Sequence, residues 1–401
     1  MVIPNLQQAY PPATRGKVVV WGYLGSYPFG GMTWQVLHYL AGLRNLGFDV
    51  WYVEVTDAAV RDPVTLWDSD NCQPNIDYLA ARMESIGLAD RWIFRPPGNY
   101  ETCFGAAGID GLAGLYHDAD VVINLCGSHE LRVEHDNIDC LVYMETDPVS
   151  KQIAVANGDV ETLAELERYQ HLFTYGENLG AEDCRVPCEI FNWQATRPPV
   201  IVDWWLPSSG PASDAAFSTI TSWKQTWNDV TWQGRRLRWS KHHEFRRLKS
   251  LPQKSAVPLE LAVVGMDDDD ESEFRHLGWR LRSASDVSDP GVYRDYIQHS
   301  LGEFTVAKEQ NVLMRSGWFS DRSVCYLAAG RPVVTQDTGF SRLLPCGKGL
   351  IPFASEQDAI DGLAAIAADY EGHCVAAASI ARDYFAADDV LRRMMAAIGM
   401  L

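Results

Sequence analysis

The segment from Lys17 to Val55 constrains the fold more than any other stretch. KVVVWG (17–22) is an unbroken apolar run, the pattern of a strand buried on both faces. A loop with Gly25, Gly30 and Gly31 follows, YLGSYPFGGMT. WQVLHYLAGLRNLG then sets apolar residues at helical spacing and stops at Gly47. FDVWYVEV (48–55) returns to strand composition. Strand, helix and strand in this order make a right-handed crossover, which leaves the two strands parallel. Such a start commits the chain to an open parallel sheet with helices on its faces.

The alternation continues. NIDYLAARMESIGL (75–88) and DVETLAELERYQ (159–170) have helical periodicity. ADRWIFRPP, DADVVINLCG (118–127), DCLVYMETDP (139–148) and HLFTYGENLG (171–180) read as strands that end in polar turns. The 401 residues exceed one ordinary core and suit two α/β domains. ATRPPVIVDWWLPSSGPASDA (195–215) is rich in Pro, Ser and Gly and marks the boundary. Beyond it come FSTITSW, a tryptophan-rich stretch, a helix from about Lys241, LELAVVG (259–265), LIPFAS (350–355) and two long helices. The expected division is 1–205, 206–380 and a final helix over 381–401. DDDDESE (267–273) reads as a solvated acidic loop.

Charge and cysteine usage exclude several classes. With 53 acidic and 34 basic residues the net charge is -19, a poor match to a polyanion, so nucleic acid is not the expected partner. No apolar run reaches the roughly 18 residues that span a bilayer. The N-terminus lacks the basic and apolar segments of a signal peptide, and the expected location is the cytoplasm. The nine cysteines are scattered; Cys184 and Cys188 form a CxxxC pair with no second pair to complete a zinc site. Reduced thiols and no metal are expected. The spacing of Gly25, Gly30 and Gly31 is not GxGxxG, which argues against a dehydrogenase.

YLAAGRPVVTQDTGF (326–340) resembles the C-terminal half of GT-B glycosyltransferases, where a helix ending in a glycine feeds a short strand and a turn near the donor sugar. GSYPFGGMTWQVLHYLAGLRNLGFDVWYVE (25–54) resembles their first βα unit. WSKHHEFRRL (239–248) is similar to the segment whose lysine touches the donor diphosphate, and ARDYFAADDVLRRMMAAIG (381–399) to the helix that packs back on the N-terminal domain. The resemblance implies two Rossmann-like domains facing across a cleft. It also implies a nucleotide-diphosphate-sugar donor as substrate, with no separate cofactor. In one respect the chain departs from the family. Many retaining members carry two glutamates across this helix, and here Gly317 and Cys325 occupy those places.

A breaking glycosidic bond leaves negative charge on the diphosphate, and the site must meet it with cations and oriented N–H groups. The helix after Ser320 offers its N-terminus, with Ser320 or Asp321 as cap and the N–H groups of Arg322 and Ser323 at its mouth. Arg322 could add a bidentate fork, and Asp321 a ribose contact. Lys241 suits phosphate as a point charge. Gly265 allows close ligand approach after a strand. Thr338 and Gly339 lie at a strand's carboxyl edge, and Gly30 and Gly31 before the first long helix. Inverting transfer needs a base. The candidates are His129, Asp147 (with Glu145 beside it) and, third, Glu177, all at N-domain strand ends. His242 and His243 read as helix-face residues, and the tryptophans from 204 to 239 as packing for an irregular segment. A nucleotide-sugar epimerase and a non-catalytic sugar-nucleotide binder are the alternatives on this plan. The acceptor could be a glycan, a lipid-linked glycan, a natural product or a protein.

Overall fold

The computed structural model describes residue 6, residues 10–55, 57, 59–99, 101–106 and 108–401. Two sheets organise the chain. The first has the strand order 193–195, 171–174, 141–145, 121–125, 17–21, 49–55, 92–95 and 104–105. Neighbours are parallel except for the last pair. The second has the order 280–283, 259–264, 217–222, 302–305, 333–336 and 350–353, parallel throughout. In each sheet the first strand in sequence lies inside, and the order reverses beside it. Those two reversal points are Lys17–Trp21 against Val121–Leu125, and Phe217–Ser222 against Gly302–Thr305. Loops leaving the carboxyl ends there bound a crevice in which ligands collect.

The apolar runs are buried on both faces, as the sequence pattern requires: Val18, Val19, Val20 and Trp21 have no exposed surface, nor do Val333 and Val334. The helix Gly30–Asn45 is buried almost all round, including Gln35 and His38. It lies between the first sheet and two elements from later in the chain. Its Trp34 Nε1 donates to Pro290 O at 2.9 Å. Its Gly42 faces the final helix Ala387–Ala397, where an added Cβ would lie 3.0 Å from Ala387 Cβ. The two crossings between the domains are tied together: Val200 N–H donates to Phe385 O at 2.8 Å, and Ala387 N–H to Val200 O at 2.9 Å.

The expected acidic loop is in fact a helix, Asp268–His276. Asp267 caps it by accepting from Asp270 N–H, and four acids fill the first turn, where the helix dipole favours them. Asp270 is buried and accepts from Trp223 Nε1 at 2.6 Å and from Arg246. Among the tryptophans, Trp204 and Trp205 pack on Trp34 and His38 at the domain junction, and Trp223 lies in the second core. Trp227 is exposed. Among the described residues, no helix is long and apolar enough to cross a membrane, and all nine cysteines are free thiols.

Candidate functional site

The reversal point of the second sheet delivers two lysines. Lys241 ends the long connection after Phe217–Ser222, at the N-cap of the helix His242–Arg247. Among the described residues its ammonium has no hydrogen-bond or ion-pair partner; it lies 5.5 Å from the centre of the Trp318 ring. Burial, with Arg322 and Lys308 close by, pushes its pKa down to about 7. Lys308 follows the strand Gly302–Thr305. Its ammonium sits 3.1 Å from the centre of the Trp239 ring and 2.6 Å from Asp147 Oδ1. Asp147 belongs to the other domain, two residues beyond the strand Leu141–Glu145. Burial lowers the Lys308 pKa, and Asp147 opposes that shift.

Around this pair the crevice is built of polar groups on strand ends. Trp318 Nε1 donates to Thr146 O at 2.9 Å, so the aromatic floor is pinned to the first domain. Cys126, at the first sheet's reversal point, has φ 60° and places its thiol 3.1 Å from Thr146 Oγ1. Burial pushes that thiol up to about 12, so it is not a nucleophile at neutral pH. Glu145 accepts from Gln152 and Thr174, and burial raises its pKa to about 8. Glu54 closes the glycine loop by accepting from Gly25 N–H at 2.7 Å and Ser26 N–H at 2.6 Å.

The helix Asp321–Ala328 begins where the sequence places it, with Ser320 at the N-cap making no side-chain cap. Asp321 is held in the crevice, its pKa raised by burial against the pull of Arg322. Ser323 Oγ is buried with no partner. The fork proposed for Arg322 is committed elsewhere. Its Nε donates to Glu303 Oε1 at 2.6 Å, and its two terminal nitrogens donate to Ile220 O at 2.7 Å and Thr305 Oγ1 at 3.0 Å. Glu303 has no exposed surface, so this guanidinium neutralises an internal carboxylate.

The other candidates have the following contacts. His129 is buried, stacked on Trp21, and takes Val55 N–H on Nε2 at 2.8 Å while Nδ1 meets Ser128 Oγ at 2.9 Å. Both ring nitrogens are used, and burial holds the imidazole neutral. Thr338 donates to Trp318 O at 2.6 Å and is sealed in. Glu177 is paired with Arg197 at 2.5 Å. Gly30 serves domain contact, since an added Cβ would lie 2.7 Å from Tyr293 Cβ. Gly31 borders a small interface cavity that Asp321, Arg322 and Tyr293 also line. Gly265 has φ 75° with open space around it, an ordinary glycine turn. Gly339, at φ 102°, would bring a Cβ to 3.1 Å from Asn178 Nδ2. His242 bonds to Ser240 Oγ at 2.7 Å, and its ring contacts that of His243.

Gly317 explains why the glutamate pair has no counterpart. Its φ is 79°, and any Cβ would collide with the Asn178 backbone nitrogen of the first domain. Cys325, the second position, is buried. Gly317→Ala should therefore lower stability by about 2–4 kcal/mol, from backbone strain plus a displaced contact. Denaturant unfolding measures it, and a change below about 0.5 kcal/mol would show that the domains do not meet there.

By sequence, no protein-family model and no curated protein matches the chain. Solved structures do match. An alpha-glucosyltransferase in complex with UDP and a 13-mer DNA containing an HMU base superposes with a TM-score of 0.56 at 10% identity, over 96% of this chain and 100% of that one. The pneumococcal O-GlcNAc transferase GtfA, in complex with UDP and GlcNAc, gives 0.52 at 10% identity, over 96% and 98%. AviGT4, a glycosyltransferase involved in avilamycin A biosynthesis, gives 0.51 at 11% identity, over 95% and 96%. The fold is GT-B. At these identities the likeness concerns architecture. In the GT-B frame Lys241 and Lys308 stand on the second domain's side of the crevice, and Asp147, Thr146 and Cys126 on the first domain's side. Lys308 was not foreseen from sequence. The one available signal was GEFTVAK, a short strand with a lysine three residues past its end.

Proposed function

We propose that the chain is a glycosyltransferase that moves a sugar from a nucleoside-diphosphate sugar to an acceptor bound on the first domain's side. The observation that carries this is Lys241, a shielded cation with no anionic partner, beside Lys308 at the reversal point of a GT-B sheet. A diphosphate there would meet two ammonium groups and the N-terminus of Asp321–Ala328, which has no side-chain cap. These groups supply the counter-charge for the leaving group, so the transfer is proposed to need no metal ion. Uridine is the first base to test, because two of the similar structures hold UDP. The acceptor is proposed to be a glycan, a lipid-linked glycan, a natural product or a protein, in the cytoplasm. The net charge of -19 disfavours a nucleic acid.

The test is thermal stabilisation by a panel of nucleoside diphosphates and their sugars. A ligand at a hundredfold excess over its Kd should add roughly 2.7 kcal/mol. If none shifts the melting temperature, the donor-site reading falls. The closed Gly317 position favours one second reading, a binder without turnover. It predicts binding with no release of nucleoside diphosphate across an acceptor panel. Sugar epimerised in the absence of any acceptor would instead mark an epimerase.

A further inference from the structure

Asp147 and Lys308 form a charged pair that joins strand-end loops of the two sheets, as Asp183 does with Arg315 and Arg342. The Lys308 side chain is 10% exposed and that of Asp147 36%. Neither is a free surface group. The Asp147 loop is held from behind: Val149, a β-branched residue, has φ 96° and is fully buried. Its N–H donates to Gln152 Oε1 at 2.7 Å, and Gln152 Nε2 in turn holds Glu145. Such strain persists only where surrounding contacts fix it, and Val149 lies two residues beyond Asp147. The neighbouring lysine, Lys241, has no such partner.

We infer that Asp147 is a placeholder for the donor diphosphate: it occupies Lys308 while the site is empty, is displaced when the diphosphate arrives, and is thereby freed to act as the base. This rests on the donor-site reading above. While bound to an ammonium, a carboxylate is a poor proton acceptor; once released it can take the acceptor's hydroxyl proton. The acceptor oxygen then bonds to the anomeric carbon as the bond from that carbon to the β-phosphate oxygen breaks. The electron pair leaves with the nucleoside diphosphate, next to Lys308 and Lys241, and the proton stays on Asp147. Proton removal is thus coupled to the presence of donor.

The experiment is calorimetric titration of UDP into wild type, Asp147→Asn and Lys308→Met. Because the competing anion is gone, Asp147→Asn should bind UDP about 5- to 10-fold more tightly. It should also lose donor-dependent transfer. Lys308→Met should bind more weakly. A merely structural ion pair would make the two variants change in the same direction. UDP binding to wild type with no tightening in Asp147→Asn overturns the placeholder while leaving the donor site intact. No UDP binding to wild type overturns both.

Discussion

Arg322→Ala is expected to lower global stability by about 3–5 kcal/mol, the usual cost of stranding one member of a buried ion pair. Glu303 lies in the central strand Gly302–Thr305 with no exposed surface, and Arg322 Nε is its charge partner at 2.6 Å. Its second oxygen, Oε2, has no hydrogen bond at all. Without the guanidinium, the buried carboxylate loses its charge partner and keeps only the long contact to Thr219 Oγ1 at 3.4 Å. The Ile220 carbonyl and Thr305 hydroxyl also lose their donors. Denaturant melts should show the loss, and adding Glu303→Gln to Arg322→Met should recover more than half of it. An Arg322→Ala protein with wild-type stability and weakened nucleotide binding would return this residue to the diphosphate.

The largest effect on donor binding is expected at Lys241. Lys241→Met should weaken UDP binding by about 10- to 100-fold, the range of one charge-assisted hydrogen bond. The wild-type affinity should also depend on pH. In the free protein the Lys241 pKa stands at about 7, below its ordinary 10.5, through burial and the nearby charges of Arg322 and Lys308. Glu303 and Asp147 pull the other way, and Asp321 also senses it. A bound diphosphate adds negative charge and raises the pKa, so binding takes up a proton. Affinity is then full below pH 7 and falls as pH rises through 7. Between pH 7 and 9 the charged fraction drops from half to about one part in a hundred, a roughly 50-fold loss of affinity. In Lys241→Met the profile should flatten. Calorimetry in buffers of different ionisation heat measures the proton directly. A wild-type affinity constant across this range would refute the assignment.

Much of the architecture was set by local pattern. Apolar runs such as KVVVWG and LELAVVG can satisfy their surroundings only as doubly buried strands, and glycines at 47 and 330 stop the helices between them. Lys241 was legible because a lysine at the mouth of a helix, after a long polar connection, stands out in sequence. Short strands with mixed chemistry were not legible. GEFT and RLRS carry charge in a sheet; the burial of GEFT depends on partners that arrive from elsewhere, and RLRS is a largely exposed edge strand. With GEFT unseen, Lys308 had no position from which to point. The acidic run read as a loop because the partners that bury Asp270, Trp223 and Arg246, are distant in sequence.

The occupation of each polar side chain was decided by tertiary structure alone. The sequence determined that a strand-end histidine, an aspartate before proline and an arginine on a helix's first turn would exist. Packing then gave His129 to Val55 and Ser128, Arg322 to Glu303, and Asp147 to Lys308. The physical reason is that burial makes an unpaired charge or donor costly. Each such group therefore takes the partner that the fold brings within reach. Lys241, left without an anionic partner, is the group still open to a ligand.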